Sequence, residues 1–209
     1  MTDTERHTTD PTPRVAVIVA AGGRSSRLAG DKLTAEVAGR TLLDHTLDGL
    51  PADAQVVCVG REVSTTRAVV WVRESPEFGG PLAAVEAGVE ALPDDATVVV
   101  LVGGDMPGAG RAVPHLLAAL GGDQKGGAAA APACAVTLDG TGREQPLLSA
   151  WRRSVLVERL AELRPTAGRA LTALLDSVAP VTIEDRWGAA TDVDTRADLA
   201  AARERLGPA

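Results

Sequence analysis

The stretch RVAVIVAAGGRSSRLAGDK, residues 14–32, decides how the chain is read. Its first part, RVAVIVA (14–20), is a nearly continuous apolar run rich in β-branched residues. That pattern suits a strand buried on both faces, as in a parallel sheet. The continuation is opposite in character: AAGGRSSRLAGDKL (20–33) holds three glycines, two arginines and a lysine. A flexible basic loop at the carboxyl end of a buried strand lies where open α/β sheets bind ligands.

Outward from this stretch, strand and helix patterns alternate. RTLLDHTLDGL (40–50) puts Leu42, Leu43, Leu47 and Leu50 on one helical face. QVVCVG (55–60), AVVWV (68–72) and TVVVLV (97–102) predict strands. PLAAVEAGVEAL (81–92) predicts a helix with Pro81 in its first turn, and another helix is expected over 110–120. The alternation predicts a single-domain, three-layer α/β/α Rossmann-like fold with a mostly parallel sheet. Loops 21–32 and 103–108 both follow strands, so they are expected at the same end of the sheet.

The second half is less regular. AAAAPACAVTL (128–138) and REQPLLSAW (143–151) flank DGTG and predict two strands joined by a turn. GGDQKGG (121–127) reads as a turn or loop, SVLVERLAEL (154–163) and GRALTALLDSV (168–178) as helices, and VTIED (181–185) as a strand. TRADLAAARERL (195–206) predicts a last helix with Thr195 as N-cap and Asp198 at N3. Residues 1–13 read as a disordered tail with no signal-peptide core, and 14–209 as one domain.

Composition narrows the function. A chain of 209 residues has room for one sizeable core. Its formal net charge of −7 argues against a nucleic-acid binder. No apolar run approaches the ~20 residues of a membrane span, so no membrane partner is expected. Cys58 and Cys134 lack metal-ligand spacing and read as reduced thiols of a cytoplasmic protein. His45 and His115 have no evident partner in the sequence, and Trp71, Trp151 and Trp187 read as packing residues.

Four loops carry candidate chemistry. The first fits neither GxxxxGK[ST] nor GxGxxG. Ala21, Gly22 and Gly23 nevertheless allow backbone N–H groups near an anion, and Arg27 and Lys32 can bond phosphate oxygens. A plain flexible turn is the alternative, disfavoured by the preceding buried strand. In GGDMPG (103–108), Asp105 is either a Mg²⁺ ligand facing that loop or a turn residue. In TDVDT (191–195), Asp192 and Asp194 would point the same way in an extended segment; taken alone, the stretch reads better as a solvated acidic turn. In FGGPLAAVEAGV (78–89), Gly79 and Gly80 before a helix start could bring backbone close to a base or ribose.

In order and spacing the four loops resemble the molybdenum cofactor guanylyltransferases, MobA-like nucleotidyltransferases of the glycosyltransferase-A-like superfamily. AGGRSSRLAGDK resembles that family's A-G-G-x-S-x-R-M-G-x-D-K signature, FGGPLAAVEAG its G-P-L-A-G segment, GGDMP its strand-end aspartate, and DVDT…DL its N-x-N-T-x-x-D-L. The resemblance implies that Ala21, Gly22 and Gly23 cradle the nucleotide, while Arg27 and Lys32 hold its phosphates. It implies that Gly80, Pro81 and Leu82 shape the base and ribose pocket, that Asp105 binds Mg²⁺, and that Asp194, with Asp192 nearby, is the second metal contact. Arg27, Lys32 and Asp105 are then the catalytic set.

Residues 14–120 become the nucleotide-binding half and 121–209 the acceptor-binding half. The implied partners are GTP and molybdopterin or its Mo-loaded form, for a monomer or weak homo-oligomer in transient contact with molybdoenzymes or other cofactor-synthesis proteins. The chain departs from the signature at Leu28-Ala29, at Glu74-Ser75 and at REQP (143–146). Its Asp-x-Asp resembles cytidylyltransferases of the same fold, whereas Gly22 follows the guanylyl pattern. A CTP-dependent or other nucleotidyltransferase with a different acceptor, and a non-catalytic nucleotide-binding protein, stand as alternatives.

Overall fold

A computed structural model describes residues 13–22, 32–121 and 131–206. The expectations for Gly23, Arg27, Leu28-Ala29, most of the 121–127 turn and nearly all of the tail lie outside the described residues. In chain order the elements are β1 (Val15–Ala20), β2 (Glu36–Val37), β3 (Arg40–Thr41), α1 (Leu42–Asp48), β4 (Gln55–Val59), β5 (Val70–Val72) and α2 (Pro81–Glu90). They continue with β6 (Val98–Gly103), α3 (Val113–Leu120), β7 (Cys134–Leu138), β8 (Glu144–Arg152), α4 (Arg153–Glu162), β9 (Val181–Glu184) and α5 (Arg196–Leu206). One sheet runs in the order β5-β4-β1-β6-β8-β7-β9; β2 and β3 form a small separate ribbon. Within that sheet β8 runs against its neighbours β6 and β7, and the other pairs are parallel.

The alternation of side chains along the strands builds two cores, one on each face. Val17, Val19, Cys58, Val100 and Val102 pack under α1 and α3 through Leu43, Leu47, Val113 and Leu116. Ala16, Ile18, Val57, Val99 and Leu101 pack under α2 and α4 through Leu82, Val85, Leu156 and Leu160. Each fully buried Val, Leu or Ile contributes roughly 1.5–3 kcal/mol of transfer free energy. α5 closes a smaller cluster of Val37, Leu42, Val193, Leu199 and Ala202. Both cysteines are buried and free. Burial pushes the Cys58 thiol up to about 12 and raises that of Cys134 as well, so neither is a reactive thiolate at neutral pH.

Two helix expectations are corrected. Residues 168–178 form only a 3₁₀ turn, Leu171–Leu174. Arg159 donates to the carbonyls of Ala173 (3.0 Å) and Leu174 (3.4 Å), occupying acceptors that a longer helix would use. Residues 109–111 form a separate 3₁₀ turn, and α3 begins at Val113, where Pro114 has no N–H to extend a helix backward.

A buried carboxylate ties α1 to the segment before β5. Thr41 caps α1 by accepting the Asp44 N–H (3.0 Å), and its hydroxyl donates back to Asp44 (2.8 Å). The other Asp44 oxygen accepts the backbone N–H (2.8 Å) and hydroxyl (3.0 Å) of Thr66. Burial alone would raise the Asp44 pKa, but the Thr66 N–H and the two hydroxyls outweigh it and hold the carboxyl below its usual value. Such a group stabilises the fold above its unfolded pKa and loses that contribution as pH falls through the lower folded one. Asp44→Ala is expected to cost about 3 kcal/mol at pH 7. In urea titrations the gap from wild type should narrow below about pH 4; a gap unchanged down to pH 2 would contradict this role.

Candidate functional site

The carboxyl ends of β1, β4 and β6 lie side by side, since Ala20 is in register with both Val59 and Gly103. The loops leaving them are stitched by main-chain bonds: Ala21 N–H to Val59 O (2.9 Å) and Gly104 N–H to Ala20 O (3.0 Å). The Ala21 N–H is therefore engaged within the ladder. Gly60 follows β4 at φ +153°, and a Cβ there would lie 2.5 Å from the Ala21 carbonyl oxygen. Only glycine lets β4 end so close to the loop.

Lys32, Asp105 and Asp194 meet over these strand ends. The Lys32 ammonium hydrogen-bonds an Asp105 carboxylate oxygen and lies 2.7 Å from Asp194 Oδ1. Burial would lower the Lys32 pKa, but bonds to the two carboxylates outweigh it and raise it. Asp192 is more exposed; partial desolvation, then the charges of Asp194 and Asp105, push its carboxyl up. Main chain sets the spacing: Val193 N–H donates to the Asp105 carbonyl (3.1 Å). The expected capping box of α5 is present: Asp198 Oδ2 accepts from Thr195 N–H (2.8 Å), and Thr195 Oγ1 accepts the Asp198 N–H (3.2 Å). The same Asp198 oxygen takes the Asp194 N–H at 3.2 Å, which anchors that aspartate.

Beside the cluster is a cavity of about 570 Å³ lined by Ala20, Gly22, Glu74, Phe78, Gly80, Pro81, Ala84, Asp105 and Leu147. Gly80 stands at φ +94° directly before α2, a conformation that favours glycine, and Pro81 starts the helix. Leu82 does not line the cavity. At this helical position its side chain turns toward the sheet, where it is fully buried with Val85 and Ile18.

Glu74, which the sequence marks only as a departure from the family signature, lines this cavity, as do Phe78 and Leu147, which the sequence does not single out. Leu147 reaches the wall because β8 bulges: Ser149 pairs with Val136 and Gln145 with Thr137, leaving residues 146–148 without partners on β7. Pro146, with no N–H to donate, sits in that bulge. The histidines gain partners too: His45 Nε2 bonds the Val37 carbonyl at 2.8 Å, and His115 stacks on Trp187 at 4.2 Å.

Among the described residues, no group of three or more His, Cys, Asp or Glu side chains is gathered closely enough to hold a metal by itself. The two carboxylates on Lys32 already hold a cation, its ammonium. They are oxygen donors of the kind Mg²⁺ takes one or two at a time, leaving its other positions to phosphate and water. No helix of the described residues is long and apolar enough to cross a membrane.

The model of the MobA-like NTP transferase domain matches residues 17–181. The bifunctional protein GlmU of Alkalilimnicola ehrlichii is 35% identical over 104 residues, which cover 44% of this chain and 22% of that protein. The chain thus spans under a quarter of the length of the curated relative it matches. Molybdopterin-guanine dinucleotide biosynthesis protein A of Archaeoglobus fulgidus superposes with a TM-score of 0.66 at 19% identity, over 91% of this chain and 98% of that one. For 2-C-methyl-D-erythritol 4-phosphate cytidylyltransferase of Thermus thermophilus the TM-score is 0.65 at 20% identity, over 92% and 98%. Both share the fold.

Proposed function

Since the chain belongs to the MobA-like NTP transferase family, we propose that it transfers GMP from GTP to the terminal phosphate of molybdopterin or its Mo-loaded form. In this reading an acceptor phosphate oxygen attacks the α-phosphorus. The bond from the α-phosphorus to the β-bridging oxygen breaks, and pyrophosphate leaves with that electron pair. No covalent enzyme intermediate is needed.

The observation that carries the reading is the Lys32–Asp105–Asp194 cluster beside the cavity. Its ammonium is partly buried and stays charged, so it can hold a phosphate oxygen in line for attack. Two carboxylates on one ammonium, with the charge of Asp192 nearby, leave the cluster negative, and a triphosphate there calls for further positive charge. Asp105 and Asp194 would hold Mg²⁺, which supplies neutralisation of charge developing on the phosphates. Arg27, from the first loop, completes the proposed phosphate contacts.

A second reading keeps the chemistry and changes the base. Asp192-Val193-Asp194 resembles the cytidylyl pattern, and a cytidylyltransferase is among the structural neighbours. One screen separates the two: Mg²⁺-dependent pyrophosphate release from each of four NTPs, with molybdopterin and with other phosphorylated acceptors. GTP with molybdopterin is expected to give the highest rate. A CTP-only response would overturn the guanylyl reading, and no release with any pair would overturn the enzyme itself.

A further inference from the structure

We propose that the Phe78 ring is the stacking platform for the nucleobase, a binding residue of the nucleotide pocket; this rests on the nucleotidyltransferase reading above. Phe78 is the only phenylalanine in the chain and lines the cavity, yet it is 58% exposed. An exposed apolar side chain alone says little. Its backbone adds a second observation: Phe78 sits at φ +62°, where bulky residues are rarely found and where strain tends to mark ligand sites.

That conformation is held from several directions. Glu74 Oε1 accepts the Phe78 N–H at 3.2 Å. Gly79 N–H donates to Pro76 O at 2.9 Å, and Gly168 N–H donates to Gly79 O at 2.8 Å. The segment that brings Gly168 is itself anchored on α2, where the Glu86 carboxylate accepts the hydroxyl of buried Thr166 and the Arg164 Nε at 2.5 Å. Both halves of the chain thus hold an aromatic ring at the cavity instead of in the core.

The cavity fits this role. Phe78, Gly80, Pro81 and Ala84 come from one continuous segment and form an apolar wall, whereas Gly22 and Asp105 belong to the strand-end loops. A planar base against the wall leaves the phosphates for the Lys32–Asp105 end. Stacking on an aromatic ring accepts every base and holds purines more firmly than pyrimidines, so the ring sets affinity more than choice.

The test uses the whole chain with Phe78→Ala, Phe78→Tyr and Phe78→Gly, reading GTP affinity by calorimetry, kcat and KM separately, and the thermal midpoint. Phe78→Ala should weaken GTP binding about 10-fold, with CTP affected less and kcat at saturation within about 2-fold. Phe78→Tyr should restore affinity. Phe78→Gly should also lose affinity but keep or raise the thermal midpoint, because glycine adopts this backbone freely. The proposal is overturned if Phe78→Ala keeps wild-type GTP affinity, if only the acceptor KM rises, or if Phe78→Gly is the least stable of the three. Wild-type protein that binds no NTP would instead overturn the nucleotidyltransferase reading and this inference with it.

Discussion

Asp105→Ala is expected to lower NTP turnover at least 100-fold and to leave the fold intact. The size follows from the typical loss when one preorganised charge is removed from a phosphoryl-type site. Intactness follows from the local bonds. The Asp105 contribution to the loop is its carbonyl, which takes the Val193 N–H and survives the substitution. Lys32 keeps its second carboxylate, Asp194, at 2.7 Å, so no buried ammonium is stranded. Asp105→Asn, which keeps the shape and removes the charge, should lose nearly as much. Pyrophosphate release measured beside the thermal midpoint checks both parts; turnover within a few-fold of wild type in both variants would sink the assignment.

Lys32→Ala should likewise cost at least 100-fold in turnover, with a different signature. Removing the ammonium leaves Asp105 and Asp194 facing each other beside Asp192, with no positive partner from this residue. Binding of Mn²⁺, followed by its electron paramagnetic resonance signal, should therefore be kept or tightened in the nucleotide-free variant even as turnover collapses. Weaker Mn²⁺ binding together with lost turnover would show that Lys32 acts through the metal site and not on the phosphates. Wild-type pyrophosphate release in this variant would end the mechanism.

Much of the architecture was legible because it is local. The valines of β1 and β6 announce strands buried on both faces, and Thr195 with Asp198 announces the start of α5. The pairing of Lys32 with Asp105 and Asp194 spans 73 and 162 residues. No pattern within one segment carries it; only the ordered set of four loops pointed there. The misses are tertiary overrides of local preference. Where 168–178 reads as a helix, the chain makes only a 3₁₀ turn whose Ala173 and Leu174 carbonyls bond the Arg159 guanidinium. A bulge at Pro146 aims Leu147 at the cavity, and the Gly168–Gly79 bond fixes a φ at Phe78 that its side chain does not favour. Ala21 leaves β1 and Leu82 lies in the first turn of α2, where the ladder takes the N–H of one and the core takes the side chain of the other.

The bond from Val193 N–H to the Asp105 carbonyl belongs to the peptide backbone, so it is indifferent to the side chains at 192 and 194. Exchanging Asp for Asn at either position changes the charge of the cleft by one unit each time and leaves this main-chain bond in place. Under the proposed function, such exchanges would alter the cation and the substrate charge that the cleft suits by single-atom edits at two addresses. The Asp-x-Asp of this chain and the Asn-x-Asn of the family it resembles are then two settings of one dial, held on the same axle.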